Sequence, residues 1–350
     1  MKAIKSMKLL QKFGLFLSTF YLLSIVSHAN AETKVVASIK PLHSLISYVM
    51  DGVGTPDIII DGSSSPHTFQ LKPSHASMLQ EADIVFWIGE DLEAFLESPL
   101  DSIAKNAKRV TLMDSNEINL LKFREKNIFD EHGDEHGDEH DDEHGDDEHG
   151  DDEHGDDEHG DDEHGDDEHG DDEHGDEHDS HAHGEYDIHF WLDPEIAKTI
   201  VKIVARELSE VDPANKLTYE TNSKKALVSL DKLINETKSK INKDATYIVF
   251  HDAYQYFEQR FGIEVMGALT VNPEVLPGAK QLAEIREVIE HENVNCLFSE
   301  PQFNPNIADT IAKDTGIKTG ILDPLGAELN PGKKLYFDLI ENMASSLESC

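Results

Sequence analysis

Residues 246–261 read Thr246-Tyr247-Ile248-Val249-Phe250-His251-Asp252-Ala253-Tyr254-Gln255-Tyr256-Phe257-Glu258-Gln259-Arg260-Phe261. A β-branched and aromatic run of strand length, Thr246 to Phe250, stops at a histidine. A helical stretch from Tyr254 to Phe261 follows. Branched and aromatic side chains suit a pleated surface, and runs of this length bounded by polar residues read as strands. The same unit repeats towards the C-terminus. Strands are expected at Ile263 to Leu269, Val294 to Phe298 and Ile317 to Ile321, with helices at Ala279 to Glu290, Ile307 to Asp314 and Leu335 to Leu347. It also repeats before residue 114. There the expected strands are Lys34 to Ile39, Asp57 to Ile60, Asp83 to Ile88 and Arg109 to Met113, and the helices Leu42 to Met50, Ser74 to Glu81 and Leu92 to Asn106. Strands that alternate with helices predict parallel sheets covered on both faces, so the fold class is α/β.

Between the two series, Ile188 to Leu192 is expected as a further strand. A helix then opens with Pro194 in its first turn and carries its apolar stripe on Ile196, Ile200, Val204 and Leu208. A second helical stretch, roughly Asn215 to Ile241, contains no Gly or Pro and places Leu227, Leu230 and Ile234 at core spacing. It can act as a stiff bridge. The expected organisation is therefore an N-terminal α/β lobe at 32–212, a linking helix at 213–243 and a C-terminal α/β lobe at 244–350. Two (β/α) lobes with parallel sheets joined by one long rigid helix leave a cleft between them. Once a leader and a low-complexity tract are set aside, about 265 residues remain, enough for two domains.

That tract, 130–184, holds 13 of the 20 histidines and 30 acidic side chains, and repeats Asp-Asp-Glu-His-Gly seven times from Asp141 to Gly175. It has no Lys or Arg, so without it the formal net charge changes from −41 to about −11. A step of five residues turns a helix by roughly 140°, so its histidines form no face. Like charges, recurrent Gly and missing apolar residues predict a segment with no packed core, inserted as a loop in the first lobe. Imidazole with carboxylate suits zinc, copper or nickel, with weak and unselective binding. The alternative is a solvated acidic linker whose histidines are incidental.

The first 31 residues are expected to be a secretory signal peptide. Lys2, Lys5 and Lys8 give a basic start, Phe13 to Val26 an apolar core, and Ala29-Asn30-Ala31 a cleavage site. The apolar core is short for a membrane span, and no Cys near the cleavage site suggests a lipid anchor. The mature chain is expected to be a soluble monomer in the periplasm. Its acidic body, lacking a basic patch, excludes nucleic acid as a partner. Two cysteines, Cys296 and Cys350, form an even pair that reads as a disulfide in an oxidising compartment. Two metal-binding thiolates are the alternative, although their spacing matches no zinc motif.

Three histidines stand where strands are expected to give way to loops. They are His67 in Ser65-Pro66-His67-Thr68-Phe69, His189 in Asp187-Ile188-His189-Phe190-Trp191-Leu192, and His251 in the opening stretch. Asp323, in Leu322-Asp323-Pro324-Leu325-Gly326, ends a fourth strand. Ligands of open α/β sheets bind beyond the carboxyl ends of strands, so these positions can converge on one cleft. Three imidazoles and a carboxylate would make a shell for tetrahedral zinc. Singly, each residue has a plainer reading, such as a packed histidine beside aromatics or an Asp that opens a turn. His43 reads as structural, and His75 and His291 as facing solvent.

The chain resembles the zinc-binding components of periplasmic ABC importers. The resemblance is carried by Val36-Ala37-Ser38-Ile39-Lys40-Pro41-Leu42, Ser65-Pro66-His67, Trp87-Ile88-Gly89-Glu90 with Leu92 to Phe95, and His189-Phe190-Trp191-Leu192-Asp193-Pro194-Glu195-Ile196-Ala197. Phe250-His251-Asp252-Ala253-Tyr254 and Leu322 to Gly326 complete it, and an acidic His-rich insertion before the second histidine is also a feature of that family. The resemblance implies that metal is bound between the two lobes and that the cysteines bridge within the second. It implies no enzymatic activity. The function it implies is capture of Zn2+ and delivery to the membrane permease of a zinc ABC transporter. One departure concerns Pro66. Some members place a metal-approaching Glu there, so the fourth ligand here is either Asp323 or water. Related manganese and iron binders use two His and two carboxylates, and His251 at the third position favours zinc. Two other functions compete: a periplasmic zinc buffer or chaperone acting mainly through the tract, and a zinc hydrolase. The second lacks a His-Glu-x-x-His motif.

Overall fold

Val35–Ala37 (β1), Asp57–Ile58 (β2), Ile84–Trp87 (β3) and Lys108–Thr111 (β4) form one sheet in the order β2-β1-β3-β4. Tyr247–His251 (β5), Gly267–Thr270 (β6), Cys296–Ser299 (β7) and Lys318–Ile321 (β8) form a second in the order β6-β5-β7-β8. Every pairing is parallel, with Val36 opposite Asp57 and Val85, and Ile248 opposite Gly267 and Leu297. The expected two-lobe α/β architecture is therefore the one observed. The computed structural model describes residues 32–124, 184–273 and 275–350. The expected leader (1–31) and, apart from Gly184, the acidic His tract (130–184) lie outside the described residues.

The inner strands β1, β3 and β5 are buried along their whole length, which is why they read as unbroken apolar runs rather than alternating ones. Helices Lys40–Val49 (α1), Pro73–Glu81 (α2) and Glu90–Ser102 (α3) belong to the first sheet. Pro194–Val211 (α4) ends at Asp212, whose carboxylate accepts from Asn215 Nδ2 at 2.7 Å and Tyr219 Oη at 2.8 Å. The chain turns there into Lys216–Lys240 (α5), 25 residues long, which is the expected long connection. Its buried face runs through Tyr219, Asn222, Ser223, Ala226, Leu230, Leu233 and Thr237, while Leu227 and Ile234 are only partly covered. Hydrophobic spacing misses part of this face because Asn222, Ser223 and Thr237 are polar. Asn222 is held there by bonds from Nδ2 to Val49 O (3.1 Å) and Asp51 O (2.8 Å), which satisfy it in the core.

Gln255–Phe261 (α6), Ala279–His291 (α7) and Asn306–Thr315 (α8) accompany the second sheet. The last helix, Leu335–Glu348 (α9), packs against α1 and α5. Tyr336 N donates to Ser44 Oγ at 2.9 Å, and the Tyr48 and Phe337 rings lie 5.8 Å apart. Beyond it, Cys350 is disulfide-bonded to Cys296 at the start of β7. The expected disulfide is formed, which removes both sulfurs as thiolate ligands. It ties the end of α9 to the second sheet.

One expected strand is absent. Ile188 to Leu192 forms no ladder, and Phe190–Leu192 is a single 3-10 turn. The cause is local. The Asp187 carboxylate accepts the His189 backbone N–H at 2.9 Å, and Asp193 Oδ1 accepts Glu195 N at 2.8 Å to begin α4. Side chains that bond the neighbouring backbone compete with a sheet ladder, and Pro194 fixes the first turn of the helix.

Candidate metal centre

Each of the three sequence-selected histidines is positioned by a different local device. His67 sits in the 3-10 turn Pro66–Thr68, well past the end of β2, and its backbone N–H is held by Ser65 Oγ at 3.3 Å. His189 immediately precedes the Phe190–Leu192 turn. His251 is the last residue of β5, next to the centre of its sheet. Only His251 leaves a strand directly, so the expectation that all three do so was too simple. They still converge. The ring centroids are 5.8 Å apart for His67 and His189, 5.4 Å for His67 and His251, and 4.9 Å for His189 and His251. One nitrogen from each lies within 4.8 Å of the others, the only such His, Cys, Asp or Glu group among the described residues.

Two carboxylates that the sequence reading did not select set the imidazoles. Asp187 Oδ1 lies 2.8 Å from His189 Nδ1, and Glu300 Oε1 lies 3.3 Å from His251 Nδ1. A carboxylate on Nδ1 selects the tautomer with its proton there and turns Nε2 towards a metal. His251 Nε2 is buried and has no hydrogen-bond partner, as a metal-ligating atom would be in the absence of metal. The signal for Asp187 was present in Asp187-x-His189. Glu300 lies 49 residues from His251, with no local pattern to link them.

The electrostatics beneath the histidines are those of a buried acidic cluster. Burial raises the Asp187 carboxyl to about 7, against the stabilising bond from His189 N. Burial also raises Asp252, next to His251, to about 6, and Glu258 to about 7. Arg124 answers both with Nη1 at 2.9 Å from Asp252 and Nη2 at 2.6 Å from Glu258. For His251, burial pushes the pKa down, but the charge and hydrogen bond of Glu300, with Asp252 and Asp187, raise it overall.

Asp323 is placed otherwise. Oδ1 accepts from Leu325 N and Gly326 N, both at 3.0 Å, and from Gln302 Nε2 at 2.9 Å, while Oδ2 accepts from Ala327 N at 2.6 Å. It closes the turn 323–327, in which Gly326 takes φ +67°, a conformation that favours glycine. That turn also receives the first lobe, through Trp191 Nε1 on Pro324 O at 2.9 Å and Lys40 Nζ on Ala327 O at 2.8 Å. The three imidazoles therefore come together without Asp323 in their group.

The remaining histidines follow separate paths. His43 is buried, bonds Pro56 O through Nε2 at 3.0 Å, and has its pKa lowered by burial. His75 is partly covered rather than turned to solvent, because its ring stacks on Phe69 and Nδ1 accepts Lys72 N at 3.2 Å. His291 is exposed. The cavity that His67, His189 and His251 share is also lined by Ser65, Trp191, Glu300, Gln302, Phe303 and Pro324. Its free volume of about 10 Å³ suits a small ion and excludes a bulkier ligand. Three neutral nitrogens around so small a space suit a borderline cation such as zinc better than calcium or magnesium, which favour oxygen.

Comparison with known proteins gives the family and the fold. The family described as zinc-uptake complex component A, periplasmic (ZnuA), matches residues 35–350. The high-affinity zinc uptake system protein ZnuA of Brucella abortus (strain 2308) is 46% identical over 341 residues, covering 96% of this chain and 98% of that protein. The protein of the same name from Haemophilus influenzae is 43% identical over 335 residues, covering 94% and 95%. In fold, the chain is similar to a crystal structure of ZnuA, with a TM-score of 0.68 at 20% identity over 91% of this chain and 99% of that one.

Proposed function

Because the chain belongs to the ZnuA family of periplasmic zinc-uptake components, we propose that His67, His189 and His251 bind one Zn2+ in the cleft and that the loaded protein delivers it to the permease of a zinc ABC importer. Proteins of this family are transport components, not enzymes. No helix among the described residues is long and apolar enough to cross a membrane, in keeping with a periplasmic carrier. The observation that carries the reading is the convergence of three imidazoles, two of them set by buried carboxylates.

The ligand set divides between the lobes. His67 and His189 precede α5, and His251 follows it. Any motion that parts the lobes removes one ligand of three, so opening is a means of release that needs no competing chelator. Closed, the site offers uncharged donors over a buried acidic layer, an arrangement that favours a dication without giving it a carboxylate ligand.

A zinc buffer acting mainly through the tract 130–184 is the competing reading. Chelator competition on the whole chain and on a version lacking 130–184 separates the two. One tightly held zinc in both, with weaker equivalents lost from the shortened chain, is the expected result. A preformed cleft avoids an ordering cost on binding that the composition of 130–184 predicts for the tract. Loss of the tight zinc with the tract would assign capture to the tract instead.

A further inference from the structure

Three nitrogens leave tetrahedral zinc one position short, and Asp323 has both oxygens engaged in its own turn. Gln302 is one of the polar groups on the cavity wall. It follows Glu300 in the turn after β7, where Phe303 N donates to Glu300 O at 3.2 Å, so one turn supplies both residues. Gln302 Nε2 donates to Asp323 Oδ1 at 2.9 Å, which fixes the amide, because its oxygen cannot face a carboxylate. The amide oxygen is left at the other end. Gln302 Oε1 is buried and has no hydrogen-bond partner.

A buried acceptor without a partner costs free energy, and such groups in native structures have a reason. Here the amide lines the same cavity as the three imidazoles. We infer that Gln302 Oε1 accepts a hydrogen bond from the water that completes the coordination of the bound zinc. Asp323 then serves the metal at one remove: it holds Gln302, and Gln302 holds the water. This assigns a specificity role. A water-completed site keeps three neutral protein donors, whereas an Asp323 ligand would add a charge and move the site towards the oxygen-rich sets that manganese prefers.

The inference rests on the three-imidazole reading, and its test separates the two. Gln302→Met keeps the volume and removes the oxygen. Zinc affinity should fall about fivefold, the effect of one hydrogen bond, and the visible bands of the Co2+-loaded protein should shift. Gln302→Leu is the second variant should the first not fold. Asp323→Ala unlocks the amide and should move the cobalt bands the same way. Combined with Gln302→Met it should add little, since both act on one water. Electron spin echo of the wild-type Co2+ protein in D2O should show the strongly coupled deuterons of a bound water, distinct from the weakly coupled deuterons of the imidazole N–H groups. Wild-type zinc affinity and cobalt bands in the Gln302 variants would overturn the assignment. So would the absence of those strongly coupled deuterons, which would mean direct coordination by a side chain. In parallel, His251→Ala should release the zinc. If it does not, the three-imidazole reading itself falls. If it does while the Gln302 variants stay at wild type, only the role of Gln302 falls.

Discussion

At the scale of single residues, the proposed site is a set of imidazoles, two of which carry a buried carboxylate on Nδ1, and His251 shows the consequence. Burial lowers its pKa, yet Glu300, Asp252 and Asp187 raise it overall. Zinc takes only the neutral imidazole, so a raised pKa moves proton competition to higher pH. Zinc should therefore start to weaken as pH falls from a point above the ordinary histidine value of about 6.5. Glu300→Gln removes the largest raising influence. Its acid limb should move to lower pH, while its affinity at pH 8 falls about tenfold because the amide polarises the ring less. Zinc titrations between pH 5.5 and 8 check both parts, and an acid limb that stays in place would contradict them. The three histidines that converge were legible because each lies in a distinctive local context. Glu300 and Gln302 were not, because they reach the site through the adjacency of β7 to β5, a relation between strands about 50 residues apart. Asp323 marks the opposite limit. Its place after a strand is a correct reading, but sequence does not reveal which way a carboxylate turns.

At the scale of elements, the strand-helix alternation in the sequence reproduces nearly the whole order of the fold, since inner strands of a parallel sheet are continuous apolar runs. The failures occur where a side chain bonds its own backbone. Asp187 replaces an expected strand with a turn, and Glu93 interrupts an expected helix. Glu93 has φ −118° and ψ 52° inside α3, and its carboxylate turns back to accept Ile88 N at 3.1 Å and Gly89 N at 3.0 Å. Burial raises its pKa from 4.5 to about 7, against the pull of those N–H groups. The sign follows from linkage. A folded pKa above the unfolded one contributes stability below pH 4.5 that fades as pH rises through about 7. The whole swing is about 3 kcal/mol. Glu93→Gln cannot ionise, so its thermal midpoint should gain on wild type between pH 5 and 8. Parallel curves for the two proteins would place the titration elsewhere.

At the scale of the whole molecule, the lobes are joined by more than α5. Lys40 and Trp191 bond the Asp323 turn, Arg260 pairs with Asp193 at 2.6 Å, and Arg124 reaches Asp252 and Glu258. The C-terminal helix packs against α1 and α5, and the disulfide then returns its end to β7. In the chain-entropy picture, a crosslink over 54 residues adds roughly 4 kcal/mol to the folded state. Sequence anticipated the two lobes and the bridge, but not this lacing, because contacts between distant elements leave no periodic trace. The arrangement holds the two sources of the proposed ligands, His67 with His189 and His251 across the cleft, close together without a metal. Zinc competition against a chelator with the chain lacking 130–184, and with its His67→Ala, His189→Ala and His251→Ala variants, tests that claim most directly. The shortened chain should hold one zinc, and each variant should bind at least about tenfold more weakly, a loss of about 1.4 kcal/mol, while His43→Ala binds as the parent does. A variant of any of the three that kept the parent's affinity would contradict the account.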